Sequence, residues 1–240
     1  MFYGIFSRVS YKEGCADMKD YVIEQINNIS LTYKNIRKVV LFGSRARRDN
    51  TPASDYDIAV FSNHMELSEQ AKFSDEIENI KTLNKIDVVF IKQRHMNTEL
   101  YQNIMNDGVI IMDKYQTKLD NYRKALAKLH ESLEDAKKFD NLTFRDGVIQ
   151  RFEFTTELAW KTMREYLISE RVTDINSPKS VMREAFNNNL ISNDKGWLQI
   201  LDDRNATSHI YDEEDAADIY ERISTYHIQL FDKLLDKLSK

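Results

Sequence analysis

The densest group of potentially reactive side chains lies between Leu41 and Val60, in LFGSRARRDNTPASDYDIAV. Gly43-Ser44 follows a run, Ile36 to Phe42, that reads as a strand, and precedes a short helical segment. Backbone N–H groups at such a helix start, with a small hydroxyl beside them, suit a phosphate. The stretch lacks the G-x-x-x-x-G-K-[ST] pattern of a Walker A loop. Further along, Asp55 and Asp57 flank Tyr56 at the start of a second predicted strand, which continues to Phe61. A spacing of two puts both carboxylates on one face. Two carboxylates side by side repel each other unless a cation sits between them or one takes up a proton. Magnesium bound to triphosphate oxygens is the natural cation, because it prefers a few carboxylates together with phosphate. Asp87, in Lys85-Ile86-Asp87-Val88-Val89, falls in a third predicted strand and completes a set of carboxylates able to hold two metals. One metal would activate an attacking hydroxyl and the other would hold the departing pyrophosphate. Each feature alone is commonplace, since a Gly-Ser is usually a cap and a D-x-D a strand end. Their order and spacing together point to nucleotide transfer.

A second group lies in LDDRNATSHIYDEED, residues 201–215. Arg204 and His209 are five residues apart, about 140° around an unbroken helix, so they would not share a face. Asn205, Thr207 and Ser208 favour interruptions, and a bend there would bring the two into one pocket. Histidine acts as acid or base near neutral pH, and arginine steadies an anionic phosphoryl intermediate. The pair suffices for metal-free RNA cleavage through the 2′-hydroxyl, and Tyr211 adds a hydroxyl two residues later. Spacing alone equally describes caps and surface contacts. Asp202, Asp203, Asp212, Glu213, Glu214 and Asp215 surround the pair with a field that repels a polyanion. The same acidity opposes a tyrosine acceptor less, so Tyr211 as acceptor is the stronger expectation. Glu157 and Lys161 form an ordinary i,i+4 ion pair, and with Glu153 and Trp160 they offer a partly buried substrate pocket as a second reading. Arg45, Arg47 and Arg48 make a basic cluster suited to ATP. His64, His95, His130 and His227 show no metal-ligand spacing and are expected in surface or packing roles.

The elements that must position these residues change in texture near residue 115. Before it, the β-branched runs Ile36 to Phe42, Asp57 to Phe61, Ile86 to Ile91 and Val109 to Met112 alternate with helical stretches, including Tyr21 to Ile29 and Ser68 to Ile80. After residue 116 the strand signals stop. Leu119, Tyr122, Leu126, Leu129 and Leu133 recur at three- and four-residue steps, one apolar helix face. Further helices fit Phe144 to Ile168, a start at Ser177-Pro178, Gly196 to Asp203, and Glu213 to Leu238. The expected organisation is an α/β-textured domain over 18–115 and a four- to five-helix bundle over 116–240. Residues 1–17 fit neither texture and are expected to be an N-terminal extension, with Met18 opening a helix of its own.

Composition agrees with two domains. The chain has 240 residues, 42% apolar and 30% charged, which supplies both a core and a wetted surface. Six Gly and two Pro exclude collagen-like and turn-rich β architectures. A lone cysteine, Cys15, excludes an internal disulfide and argues against structural zinc. With 34 basic and 39 acidic residues the net charge is −5. Residues 1–115 carry 15 basic and 16 acidic side chains, a net −1, which leaves −4 for the remainder. Neither part has the positive excess of a general nucleic-acid binder. The apolar runs are too short to span a bilayer, so a membrane-free, cytoplasmic protein is expected.

The quoted residues resemble two families. G-S-x-A-R, then S-D-x-D-[IL], then a strand aspartate is similar to the minimal nucleotidyltransferases of the polymerase-β superfamily, over roughly residues 20–113. The resemblance implies an α+β domain with a mixed sheet, Mg2+ and ATP as cofactors, and transfer of a nucleoside monophosphate to a hydroxyl. It assigns phosphate contacts to Gly43 and Ser44, metal binding to Asp55, Asp57 and Asp87, and the motif's arginine position to Arg47. Arg48 stands where many relatives carry Gly, so a positive φ there would strain it. The R-x4-H-x-Y pattern of Arg204, His209 and Tyr211 resembles the HEPN family, in the branch of nucleotidyltransferase substrate-binding proteins. VIQRFEFTTELAWKTMREYL, SPKSVMREAF and DRNATSHIYDEE support it over about residues 117–238. This resemblance implies an all-α bundle acting as a dimeric ribonuclease toxin, which its paired nucleotidyltransferase antitoxin silences by adding AMP to the motif tyrosine. Carried over, Tyr211 is the acceptor, Arg204 and His209 are the ribonuclease pair, RNA is their substrate, and the chain is a homodimer. The alternative is a small-molecule transferase whose acidic helical part binds a cationic, aminoglycoside-like acceptor.

Overall fold

The computed structural model describes residues 20–95, 97–139, 141–170, 172–207 and 213–240. The chain divides into two compact units between Lys114 and Tyr115. The expected extension over 1–17, with Cys15 and Met18, lies outside the described residues.

The first unit holds α1 (Tyr21–Thr32), β1 (Ile36–Phe42), α2 (Gly43–Arg47), β2 (Tyr56–Ser62), α3 (Leu67–Glu78), β3 (Ile86–Ile91), α4 (Glu99–Asp107) and β4 (Val109–Asp113). The strands form one sheet in the order β3-β2-β1-β4. β1 runs antiparallel to β2 and to β4, whereas β2 and β3 are parallel, so the sheet is mixed. Nearly every residue of β1 is buried, because helices cover both faces. Val39 and Leu41 pack in a core with Val22 and Ile26 of α1 and Phe73 and Ile77 of α3. Val40 and Phe42 belong to a separate core with Tyr101 and Ile104 of α4. The sequence reading did not single out α4. Its signals are short: Thr98 accepts from the Tyr101 N–H at 3.3 Å as a cap, and the buried pair Tyr101 and Ile104 is a single i,i+3 step.

Every regular element of the second unit, among its described residues, is a helix. It contains α6 (Leu142–Ser169), α7 (Pro178–Asn187), α8 (Asp194–Ala206), α9 (Glu213–Arg222) and α10 (Ile228–Leu238), and takes in most of α5 (Lys114–Phe139). The apolar face read from α5 is buried at all five positions, Leu119, Tyr122, Leu126, Leu129 and Leu133. Tyr122 carries a hydroxyl into this core and donates it to the Phe231 carbonyl at 2.8 Å. Ser177 and Pro178 start α7 as expected, with the Ser177 hydroxyl accepting from the Ser180 N–H at 3.2 Å. The single helix expected over Glu213–Leu238 is instead broken by a π-helical turn, Ile223–His227. Arg222 and His227 are five residues apart and would diverge on an α-helix. The i→i+5 bonding of a π turn realigns them, and both side chains reach Asp203 of α8. Among the described residues, no helix is long and apolar enough to cross a membrane.

Candidate functional site

The site in the first unit is built where β1 turns into α2. Gly43 takes a φ of 72°, a conformation that L side chains rarely adopt. A Cβ built on it would stand 2.1 Å from Asp57 Oδ2. Glycine is therefore required twice, by the backbone and by the close approach of the β2 carboxylate. α2 ends at Arg48, which adopts φ 65° and ψ 27°, the strained left-handed conformation that an arginine there was expected to suffer. The Asp49 N–H donates to the Ser44 carbonyl at 3.1 Å and closes the turn.

Parallel pairing of β2 with β3 sets Asp57 directly opposite Asp87. Asp55 lies two residues before Asp57, just ahead of the strand. Partial burial pushes the Asp57 carboxyl up, and the neighbouring charges of Asp87 and Asp55 push it further. This is the signature of carboxylates gathered in one field. Lys85 forms an ion pair with Asp87 and lies in the field of Asp55 and Asp57 as well, so its ammonium partly neutralises the cluster. Among the described residues, no three carboxylates, imidazoles or thiols converge closely enough to enclose a metal ion. The donor chemistry nevertheless fits a hard divalent cation: Asp57 and Asp87 are oxygen donors in register, and the Asp87 charge raises the Asp57 carboxyl.

The three arginines divide their work. Arg45 donates from Nε to the Ser54 and Asp55 carbonyls at 3.0 and 3.1 Å, and from Nη2 to Ser54 O at 2.7 Å. Its guanidinium lies 3.8 Å above the Tyr56 ring. Arg45 therefore holds the loop that carries Asp55. Arg47 is exposed and pairs with Asp49 at 3.0 Å. Tyr56 donates its hydroxyl to Asp20 at 2.7 Å, and burial with this bond pushes its pKa up to about 12. Sequence reasoning missed the roles of Arg45, whose partners are carbonyls nine and ten residues on, and of Lys85, although it stands two residues before Asp87.

In the second unit, Arg204 sits in the last turn of α8. Its Nη2 lies 3.6 Å from Glu157 Oε2, and that carboxylate also accepts from Trp160 Nε1 at 2.9 Å and pairs with Lys161 at 2.8 Å. Burial alone would raise the Glu157 pKa, but the Lys161 and Trp160 hydrogen bonds with the charges of Lys161 and Arg204 outweigh it and hold it low. Of the residues expected to form a pocket here, Glu157 and Trp160 line a cavity, together with Arg204, whereas Lys161 is not in its lining. Glu153 does not line it; it accepts a hydrogen bond from Thr207, just past α8.

Asp203, one of the six carboxylates expected to form the repelling field, is not an open charge. It is buried, and receives His227 Nε2 at 2.6 Å, Arg222 at 2.9 and 3.0 Å, and Gln199 at 2.9 Å. Burial alone would raise its pKa, but these bonds outweigh it and bring the value to about 2. Its charge is thus answered locally and adds little to a field repelling RNA. His227 is a buried member of this network, stacked on Phe152 at 5.5 Å. His209, Tyr211, Ser208 and Asp212 lie outside the described residues, as does the outcome of the bend expected there.

Residues 117–240, just over half of the chain, match the family described as nucleotidyltransferase substrate binding protein like. Residues 24–117 match the polymerase beta nucleotidyltransferase family. A Haemophilus influenzae protein named probable ribonuclease HepT is 38% identical over 87 residues, 35% of this chain and 60% of that protein's length. A solved Haemophilus influenzae structure, described as the fold of a substrate binding domain of a nucleotidyltransferase, is 29% identical. It covers 51% of this chain and 99% of its own, with a TM-score of 0.46. A tri-AMPylated Shewanella oneidensis HEPN toxin, solved in complex with its MNT antitoxin, is 18% identical. It covers 53% of this chain and 98% of its own, also with a TM-score of 0.46.

Proposed function

We infer the function from one premise: this chain belongs to the nucleotidyltransferase substrate binding protein like family, with a polymerase β nucleotidyltransferase part ahead of it. The first unit transfers AMP from ATP to a protein tyrosine, Tyr211, in the same chain or in a second copy. The observation that carries this reading is the packing of Gly43 against Asp57, with Asp87 opposite in register, where a strand turns into a helix.

In this reading the Gly43-Ser44 turn cradles the triphosphate, and Arg47 exchanges Asp49 for a phosphate oxygen. Asp55, Asp57 and Asp87 would hold magnesium, which supplies charge neutralisation on the triphosphate and at the attacking oxygen. Arg45 keeps the Asp55 loop in place throughout. The Tyr211 oxygen forms a bond to the α-phosphorus, the bond from that phosphorus to the bridging oxygen breaks, and pyrophosphate leaves. The phenolic proton passes to a carboxylate of the cluster. Arg204 and His209 are the metal-independent ribonuclease pair that this modification silences, in a cytoplasmic homodimer. The pairing of Asp203 with Arg222, with further hydrogen bonds to His227 and Gln199, takes one carboxylate out of the field that opposes RNA.

Labelled ATP tests the reaction class. Label from the α-phosphate should appear on wild-type protein and not on Asp57→Ala. Label that appears only on an added aminoglycoside would replace the tyrosine reading with the small-molecule one. For the second unit, RNA cleavage by unmodified protein should disappear in His209→Ala, and cleavage unchanged in that variant would remove the ribonuclease assignment.

A further inference from the structure

The loop between α7 and α8 and one face of α10 enclose a cavity of about 220 Å³ in the helical unit. It shares no lining residue with the cavity of Glu157, Trp160 and Arg204. Asn193, at its rim, precedes α8, whereas Arg204 stands in the last turn of that helix, about 16 Å further along the axis. The loop is fixed by its own bonds. Asn189 takes φ 56°, a left-handed conformation that asparagine tolerates. The Leu190 and Ile191 N–H groups both donate to the Ala185 carbonyl, at 2.8 and 3.2 Å. Asn193 accepts from the Gly196 N–H at 2.9 Å and donates to the Tyr226 hydroxyl at 2.6 Å, which ties the loop to the π turn. The cavity is thus preformed, and a ligand entering it would not have to order the loop.

Its walls divide into an apolar floor and a cationic mouth. Leu190, Trp197, Leu230 and Leu234 are buried and form the floor. Lys233 and Lys237 are exposed at the mouth, one turn apart on α10, where like charges repel each other. Neither ammonium has an ion pair or hydrogen bond among the described residues, and the Ser192 hydroxyl beside them is also unpaired there. No carboxylate lines the cavity among the described residues. Asp194, next to the rim, accepts from the Lys195 N–H at 2.8 Å, and Asp232 pairs with His130 at 2.9 Å. Two ammonium groups without an anion, above buried apolar side chains, match a ligand with a negative head and an apolar body. The size is set as well: the volume is that of about seven waters in the liquid, too little for a nucleotide or a folded peptide.

We propose that this cavity binds a small organic carboxylate with an aromatic or branched aliphatic body. The carboxylate lies between Lys233 and Lys237 and accepts from the Ser192 hydroxyl, and the body rests on Trp197 and the three leucines. Lysine ammonium groups are point charges and do not select between anions by shape. Selectivity therefore comes from the floor, which rewards apolar surface that an inorganic anion lacks. The site is independent of the transfer reading given above, since it uses neither the carboxylate cluster nor Tyr211.

The test titrates the full-length chain with benzoate and with isovalerate, in a buffer free of other carboxylates, phosphate, magnesium and ATP, and reads the heat of binding. Acetate supplies the charge with almost no body, inorganic phosphate the charge with no apolar surface, and benzyl alcohol the ring without the charge. Benzoate or isovalerate should bind at least tenfold more tightly than any of these three. Lys233→Gln and Lys237→Gln should each weaken it severalfold, and the double variant at least tenfold. Both positions are exposed, so neither change threatens folding. The chain has two tryptophans, so in Trp160→Phe the emission reports Trp197 alone. The ligand should shift that emission with the same midpoint as the heat. No binding of either acid at tens of millimolar overturns the proposal. So does binding that the double variant leaves unchanged, or binding that never moves the Trp197 emission, since the ligand then sits elsewhere. Phosphate bound as tightly as benzoate would reduce the site to a cationic patch, and benzyl alcohol bound as tightly would remove the lysines from it. Either result also overturns the proposal.

Discussion

Gly43→Ala is the sharpest single perturbation of the proposed transfer site. The added methyl would lie 2.1 Å from Asp57 Oδ2 and 3.0 Å from its Cγ, inside any permitted carbon–oxygen contact. Asp57 must therefore swing its carboxylate away by about 1 Å or more, at a rotamer cost of about 1 kcal/mol. The φ of 72° adds about 1 kcal/mol for a residue bearing a Cβ. The sum, about 2 kcal/mol, should lower the melting temperature of the first unit by roughly 8 °C or more. A misplacement of that size at a reacting centre should slow transfer by about 100-fold. Calorimetry reads the first effect and the rate of adduct formation with magnesium and ATP reads the second, under conditions where the variant is folded. Gly147→Ala is the matched control, because its Cβ would meet nothing within 4 Å in the interior of α6. It should stabilise the helical unit by about 0.5–1 kcal/mol and leave transfer unchanged. A Gly43→Ala protein with wild-type melting and wild-type rate would refute the reasoning that Gly43 exists to admit Asp57.

Arg48→Gly should relieve the left-handed strain at φ 65°. Set against the extra entropy of an unfolded glycine, a net gain of about 0.5 kcal/mol is expected in urea unfolding. Arg45→Lys should keep the charge but lose the fork on the Ser54 and Asp55 carbonyls and the stacking on Tyr56, so transfer should slow while melting changes little. Asp203, with a folded pKa of about 2 against an ordinary 3.8, contributes about 2 kcal/mol that is fully present above pH 5. That contribution is lost as pH falls from about 4 to 2, and an acid unfolding curve of Asp203→Asn should lack this component. The same variant should be about 3 kcal/mol less stable at neutral pH, because it strands Arg222 and His227.

The cluster of Gly43, Asp57 and Asp87 that the structure brings together was legible because its signals are local. Gly43 before a helix, Asp55 and Asp57 two apart, and Asp87 in an apolar strand each announce themselves in sequence. The mixed sheet came from the family resemblance rather than from the runs themselves, which cannot distinguish a parallel β2–β3 pair from an antiparallel one. The possibility of strain at Arg48 came from the family resemblance, in which many relatives carry Gly there, and the φ of 65° meets its condition. What stayed hidden depends on long-range partners. Arg45 holds carbonyls nine and ten residues away, and Lys85, paired with its near neighbour Asp87, enters the field of Asp55 and Asp57 only once β3 lies beside β2. The π turn was invisible because a five-residue spacing of Arg222 and His227 carries no helical signal until Asp203 of another helix demands it. Asp203 itself reads as one more surface acid in a charged run, and only burial reveals otherwise.

The most direct test of the central claim is intact-protein mass spectrometry of wild type, Asp57→Ala and Tyr211→Phe after incubation with magnesium and ATP. The starting material must be confirmed unmodified. The account predicts AMP adducts on wild type and none on either variant. Adducts on Tyr211→Phe at the wild-type level would contradict Tyr211 as acceptor, and adducts on Asp57→Ala would contradict the carboxylate site itself.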